Sequence, residues 1–251
     1  MPATSLVAGA VAIVTGGSGA IGRAISGSLA LSDRTVVITG RRRDALEAAA
    51  ESIVREARRP VRVIPMPCDV TDEEEVGRLF DRVASDHGPC GLLVNCAGIA
   101  IGGQTESLSS HDFSRVLAVN VLAPFICSKF AIRQMKARGG GRIINIGSIS
   151  AESPRPDSAP YTTSKFALAG LTRSLALDGR QHNIAVGIIH PGNVISELLS
   201  PEEIERRRKT EGFISPDDVA ACVQTMAGLP LSANVLEMSV MPTSQPLVGR
   251  G

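Results

Sequence analysis

The sequence predicts one α/β domain over residues 1–251, a doubly wound parallel sheet with helices on both faces. Three observations carry that expectation. Short β-branched runs alternate with longer helical stretches from end to end. Several of the short runs, such as Val36-Val37-Ile38 and Ile143-Ile144, are apolar at successive positions, as strands covered on both faces require. No repeat, low-complexity tract or linker interrupts the alternation.

The expected strands are Ala10–Thr15, Thr35–Thr39, Val61–Met66, Gly91–Asn95, Arg142–Gly147, Ile184–Ile189 and Val235–Val240. Helix starts stand between them. Thr71-Asp72-Glu73-Glu74 reads as a capping box, with the Thr71 hydroxyl and the Glu74 carboxylate satisfying orphan amides reciprocally. Ser200-Pro201-Glu202-Glu203 and Ser215-Pro216-Asp217-Asp218 each place a cap residue before a proline at the first helical position. The longest helical stretch runs from about Asp112 to Ala137.

Composition narrows the function classes. Twenty-six basic residues against 25 acidic leave a formal charge of +1, with no electrostatic footprint for nucleic acid or an anionic membrane. Residues 6–14 are apolar, but no Lys or Arg precedes Arg23, so a signal peptide is not expected. No apolar run approaches the ~18 residues of a membrane span. The five cysteines (Cys68, Cys90, Cys96, Cys127, Cys222) form no Cys-x-x-Cys pair and read as small buried hydrophobes in a reducing compartment. A cytoplasmic protein with a small-molecule substrate is the expectation, and no metal-ligand set is assigned.

The chemistry begins at the end of the first strand, where Thr15-Gly16-Gly17-Ser18-Gly19-Ala20-Ile21-Gly22 leads into a helix. Glycines there permit a tight turn, approach of backbone to a pyrophosphate and close packing of helix on strand. The helix N-terminus beyond favours phosphate. The second strand ends Ile38-Thr39-Gly40-Arg41-Arg42-Arg43, without the acidic residue that would bind a bare ribose diol. A guanidinium there suits a 2′-phosphate, with Arg41 as the main contact, Arg42 as helper and Arg43 solvating the helix start. Tyr161, the only tyrosine, lies four residues before Lys165, which puts both on one helical face. A phenol is a poor base at neutral pH, and a neighbouring ammonium favours its ionised form. Ser148 ends a strand, where parallel sheets bind ligands. Asn120 sits inside the long helix, a poor place for an idle polar residue.

Together these motifs resemble the short-chain dehydrogenase/reductase family over nearly the whole chain, and the resemblance implies its Rossmann fold. Thr15–Gly22 fits the family's glycine motif, and Asp69-Val70 the pair that frames an adenine. Val94-Asn95-Cys96-Ala97-Gly98 resembles the element after the fourth strand, with Cys96 replacing a usual Asn and local stability put in doubt. Pro191-Gly192-Asn193-Val194, followed by Ser196, matches the Pro-Gly element near the nicotinamide. Asn120, Ser148, Tyr161 and Lys165 match the catalytic tetrad in identity and spacing. The resemblance implies that Tyr161 exchanges a proton with the substrate oxygen and Lys165 binds the nicotinamide ribose. It implies that Ser148 hydrogen-bonds the substrate oxygen and Asn120 holds a water behind Lys165. The implied NADP contacts are Gly16, Ser18, Ile21, Gly22, Arg41, Arg42, Asp69, Val70, Asn95, Ala97, Gly98, Tyr161, Lys165, Pro191, Gly192, Val194 and Ser196, with NAD the less favoured cofactor.

The segment 196–214 is expected to be a helical substrate lid, with Arg206–Lys209 read as a solvated face carrying i, i+4 ion pairs. The tail, Val235-Leu236-Glu237-Met238 and Met241-Pro242-Thr243-Ser244-Gln245, resembles the NADP-dependent branch that oxidises 3-hydroxy acids and serine-like substrates. The expected activity is hydride transfer between NADP(H) and a small alcohol or ketone. A 3-ketoacyl-thioester reductase and a non-catalytic cofactor-binding regulator are the alternatives. The family also implies a homodimer or homotetramer; the stripe Val116, Val119, Ala123, Cys127 and Phe130 fits an interface or a core equally well.

Overall fold

The computed structural model describes residues 10–196 and 199–247. The apolar residues 6–9 and lid residues 197 and 198 lie outside the described residues.

Seven strands form one parallel sheet: β1 (Val11–Thr15), β2 (Thr35–Gly40), β3 (Arg62–Pro67), β4 (Cys90–Asn95), β5 (Gly141–Ile146), β6 (Ile184–Pro191) and β7 (Glu237–Val240). Each matches a predicted run to within two residues. Their order is β3-β2-β1-β4-β5-β6-β7, so the chain reverses its direction of winding between β1 and β4. That reversal opens a crevice at the carboxyl ends of the strands.

Period-two alternation explains the two cores. Ala12 and Val14 of β1 join one core with Ile25 and Leu29 of α1 (Ala20–Ala30), Leu46 of α2 (Arg43–Glu56) and Val219 and Val223 of α8 (Pro216–Gly228). Val11 and Ile13 point the other way. They join Leu79 and Phe80 of α3 (Glu73–His87) and Ile126 and Ala131 of α5 (Ala123–Ala137). Each large aliphatic side chain so buried contributes roughly 1.5–3 kcal/mol.

Three expectations need correcting. The cap of α3 is Asp72, whose side chain accepts from Glu75 N at 3.0 Å. Thr71 lies one residue before the cap, and its hydroxyl donates instead to Asp69 Oδ1 at 2.7 Å. The long helical stretch starts at Ser110 and is broken into α4 (Ser110–Leu117), a π turn (Ala118–Leu122) and α5. Pro124 supplies the cause: it has no N–H to give the carbonyl of Asn120 four residues earlier, so the regular ladder cannot run through. Finally, Ser110–Ala137 is long and apolar enough to cross a bilayer by length and composition. Part of its apolar surface is nonetheless buried in the fold, with Val116, Ile126, Cys127 and Met135 covered.

Two helices complete the frame, α6 (Ala159–Gly179) and α7 (Pro201–Thr210). The caps expected at Ser200 and Ser215 both form, and each closes a capping box, with Glu203 and Asp218.

Candidate active site

The glycine turn is shaped by contacts that no side chain would survive. Gly16 sits at φ +66°, and a Cβ there would stand 2.8 Å from Ala97 Cα. A Cβ on Gly22 would stand 2.2 Å from Gly16 O, so α1 can lie against the turn only without one. The Thr15 hydroxyl accepts from both Cys96 N and Ala97 N at 3.0 Å, tying β1 to the end of β4. This tie uses main-chain donors, so Cys96 does not weaken it. No acidic residue stands in the first turn of α1, which leaves its positive end uncountered by a carboxylate.

The crevice is a cleft of about 790 Å³. Of the predicted residues it brings together Gly16, Ile21, Arg42, Ala97, Gly98, Ser148, Tyr161, Lys165, Pro191, Gly192, Val194 and Ser196. Lys165 is buried, and its Nζ donates to Ile146 O at 3.0 Å. It lies 5.4 Å from the centre of the Tyr161 ring. Ser148 follows the end of β5, and its Oγ accepts from Ser150 N at 3.1 Å. The hydroxyl hydrogen therefore stays available to an acceptor in the cleft.

Other predicted residues stand behind or beside the cleft rather than in its wall. Asn95 is buried and donates to Asn145 Oδ1 at 2.8 Å, bridging β4 and β5. Asn120 is buried behind Gly98, with its Oδ1 accepting from Ile99 N and its Nδ2 donating to Ile99 O and Ser164 Oγ. Both amide hydrogens and one lone pair of the amide oxygen are thus engaged within the protein. Gly22 serves packing, Val70 lies in the core, and Ser18 is half-buried in the turn. Asp69 is fastened within its own turn by Thr71. Burial pushes its carboxyl up, but hydrogen bonds from Thr71 and the charge of Arg41 hold it below the usual range. Arg41 and Arg42 are both exposed; Arg42 lines the cleft, and the charge of Arg41 acts on Asp69. Arg43 pairs with Glu47 at 3.7 Å on the helix surface, as expected.

The short chain dehydrogenase family model matches residues 10–206. The chain belongs to the short-chain dehydrogenase family. Carbonyl reductase family member 4 of Danio rerio is 34% identical over 213 residues, covering 84% of this chain and 87% of that protein. The NADP-dependent (R)-specific alcohol dehydrogenase of Lentilactobacillus kefiri is 34% identical over 227 residues, 86% and 88% of the two chains. A solved structure of a variant actinorhodin polyketide ketoreductase with NADPH superimposes with a TM-score of 0.87 at 27% identity, covering 94% of this chain and 97% of that one. The protein is therefore an oxidoreductase on a Rossmann fold.

This short-chain dehydrogenase also holds a buried network that the sequence did not reveal. Arg155 donates to Glu211 through both terminal nitrogens, at 3.1 Å from Nη1 to Oε1, and to Asn193 Oδ1 at 3.1 Å. Asn193 Nδ2 and Gln245 Nε2 donate to Glu211 Oε2 at 2.9 and 3.0 Å. Burial pushes the Glu211 carboxyl up, but the Arg155 and Asn193 hydrogen bonds outweigh it and hold the group below its usual range. Arg207 joins this cluster, bonding Glu203 Oε1 at 2.8 Å with its side chain 14% exposed. The solvated-face reading of Arg206–Lys209 thus holds for the Lys209–Glu205 pair but fails for Arg207. Arg206 and Arg207 both line the cleft. No local pattern announces this network, since its members come from four separate segments.

Cys68, Cys90 and Cys127 are buried, as expected, whereas Cys96 and Cys222 are half-buried and Cys96 lines the cleft. Burial, then nearby Glu75, pushes the Cys68 thiol up to about 12, and burial does the same to Cys90.

Proposed function

We propose that this short-chain dehydrogenase uses NADP(H) to interconvert a small alcohol and its ketone, with Tyr161 as the acid/base. The observation that carries the reading is the convergence of Ser148, Tyr161 and the buried Lys165 on one cleft wall. Tyr161 would give its phenolic proton to the carbonyl oxygen in reduction and accept it back in oxidation. Ser148 would donate its hydroxyl hydrogen to the same oxygen, where negative charge develops. Lys165, held by Ile146 O, would keep a positive charge one helical turn from the phenol and reach the ribose. Asn120 fastens Ile99 behind the cleft wall and would hold a water behind Lys165.

The residues present fit the cofactor. The glycine cradle of Gly16 and Gly22 is one that any Cβ would fill, and Ile21, Ala97, Gly98, Pro191, Gly192, Val194 and Ser196 would line the dinucleotide's path. Arg42, with Arg41 beside it, would bind the 2′-phosphate. Asp69 and Val70 would frame the adenine, while Ser18 and Asn95 would shape the loops around it. When bound, the nicotinamide supplies or takes the hydride. The NADP in the name of the Lentilactobacillus relative, and the NADPH of the ketoreductase structure, support this choice over NAD.

A 3-hydroxy acid or serine-like compound is the proposed substrate, on the likeness of the tail at 235–245. The 3-oxoacyl-[acyl-carrier-protein] reductase of Aquifex aeolicus, 31% identical over 221 residues, favours a second reading, reduction of 3-ketoacyl thioesters. A homodimer or homotetramer is part of the proposal. Val116, Ala123 and Cys127 of the predicted stripe are buried core, but Leu122, Phe125 and Phe166 stand exposed and would form the contact instead. One screen tests the function: NADPH consumption and NADP⁺ reduction across hydroxy acids, serine-like amino acids, polyols, small ketones and a 3-ketoacyl thioester. Turnover of a small alcohol or ketone that disappears in Tyr161→Phe is expected. Turnover that survives in Tyr161→Phe would overturn the mechanism.

A further inference from the structure

We infer that His190 is a positioning residue for Ser148, with Glu237 as its anchor; this rests on the reading of Ser148 as donor to the substrate oxygen. His190 stands at the end of β6, immediately before Pro191, and its ring is fully buried. Its Nδ1 lies 2.8 Å from Ser148 O and 3.2 Å from Ser148 N, so one ring atom touches both main-chain polar groups of the serine. Its Nε2 lies 3.1 Å from Glu237 Oε1 on β7. The other oxygen of Glu237 accepts from Arg173 Nη2 of α6 at 2.9 Å, which fixes the carboxylate. Glu152, in the turn after Ser148, places a third group within 4.8 Å and is itself fastened by the Ser239 hydroxyl at 2.8 Å. These are the charged groups that face the ring from β7, α6 and the turn.

Gly147 shows how closely the ring must approach. A Cβ there would stand 2.6 Å from His190 Nδ1, so the residue before the serine carries no side chain where the imidazole enters. One nitrogen cannot serve both main-chain groups at once: an unprotonated Nδ1 accepts from Ser148 N–H, and a protonated one donates to Ser148 O. Either way the ring holds the serine's backbone, while the serine hydroxyl is engaged separately by Ser150 N. Asparagine at position 190 would keep an amide near the place of Nδ1 and could make the same contact; leucine could not.

The test separates turnover from binding. His190→Leu should lower kcat by about 10²-fold, the size of effect expected from an ångström of misplacement at a reacting group. The dissociation constant for NADPH, measured by fluorescence, should stay within about twofold, because the ring touches no part of the cleft that would hold the dinucleotide. His190→Asn should restore most of the turnover. Exchange of the Ser148 amide hydrogen should quicken in His190→Leu and not in His190→Asn, a readout independent of activity. Adding His190→Leu to Ser148→Ala should cost almost nothing more, since residues acting as one unit are not additive. Should the leucine variant fail to fold, Glu237→Gln keeps the anchor's shape without its charge, and a smaller kcat loss at unchanged cofactor affinity is expected. Wild-type kcat and unchanged Ser148 exchange in Glu237→Gln would then overturn the inference. So would a fully active His190→Leu beside an inactive Ser148→Ala, or losses that multiply in the double variant. Wild-type turnover in Ser148→Ala would instead defeat the reading of Ser148 itself.

Discussion

Removing the Glu211 carboxylate should destabilise the protein more than any single change on its surface. Glu211 is 4% exposed and receives two hydrogen bonds from Arg155, one from Asn193 and one from Gln245. Glu211→Ala leaves the Arg155 guanidinium, 11% exposed, without its counter-charge. Breaking a buried pair from one side costs about 3–5 kcal/mol, because the remaining charge stays out of water unpaired. At roughly 2–4 °C per kcal/mol for a chain near this length, the melting temperature should fall by about 6–20 °C. Replacing both partners, as in Arg155→Met with Glu211→Leu, should be less harmful than either single loss. A Glu211→Ala variant within about 1 kcal/mol of wild type in urea unfolding would refute the argument, as would additive losses in the double variant.

The same residue sets a pH dependence whose sign follows from its direction of shift. The folded carboxyl is held below the ordinary glutamate value of 4.5, so the unfolded chain takes up its proton first as pH falls. Its contribution is therefore complete above about pH 4.5 and is lost as acidity passes through the folded value. Glu211→Gln, which cannot ionise, should melt below wild type at pH 7 and approach it at pH 3. A constant gap across that range would show that the charge contributes nothing.

Four further outcomes are expected. Tyr161→Phe should lose about 10²–10⁴-fold in turnover while NADPH binding survives, and retention of a tenth or more of wild-type rate would exclude the phenol as acid/base. Lys165→Met should lose both turnover and cofactor affinity, checked by cofactor titration; unchanged affinity would remove the ribose role. Arg42→Ala should erode the NADPH preference by about 10- to 100-fold and leave NADH kinetics nearly untouched, with Arg41→Ala weaker and the double variant worse than either. Equal loss with both cofactors would defeat the phosphate assignment. Light scattering at micromolar concentration should report a dimer or tetramer that Phe166→Glu dissociates, and a wild-type monomer would sink the oligomer.

What could be read from residues alone follows the range of the forces involved. The strands were legible because a sheet covered on both faces demands consecutive apolar residues, and Val36-Val37-Ile38 satisfies that demand locally. The caps at Ser200 and Ser215 were legible because an N-cap and its partner stand three residues apart. Thr71 misled because the next residue, Asp72, is as good a cap and stands three before Glu75, so the motif alone leaves the start uncertain by one residue. The π turn was within reach of the sequence: Pro124 stands four residues after Asn120, which no regular helix accommodates without a lost hydrogen bond. Gly16, Ser148, Tyr161 and Lys165 were found through motifs whose spacing along the chain reflects one strand end or one helical turn. The Arg155–Glu211 network has no such spacing, with partners 56 residues apart.

His190 makes the same point from the other side. Nothing in Ile188-Ile189-His190-Pro191 separates it from a spacer before the Pro-Gly element. Its significance comes from parallel pairing, which sets Ile146 beside Ile189 and so brings the next residues of β5 against the next residue of β6. β7 pairs with β6 in turn, with His190 opposite Ser239, and delivers Glu237 to the far side of the ring. A serine, an imidazole and a carboxylate from three separate parts of the chain thus fall into line because the sheet holds its strands in register, and only the register makes the histidine more than a buried polar residue.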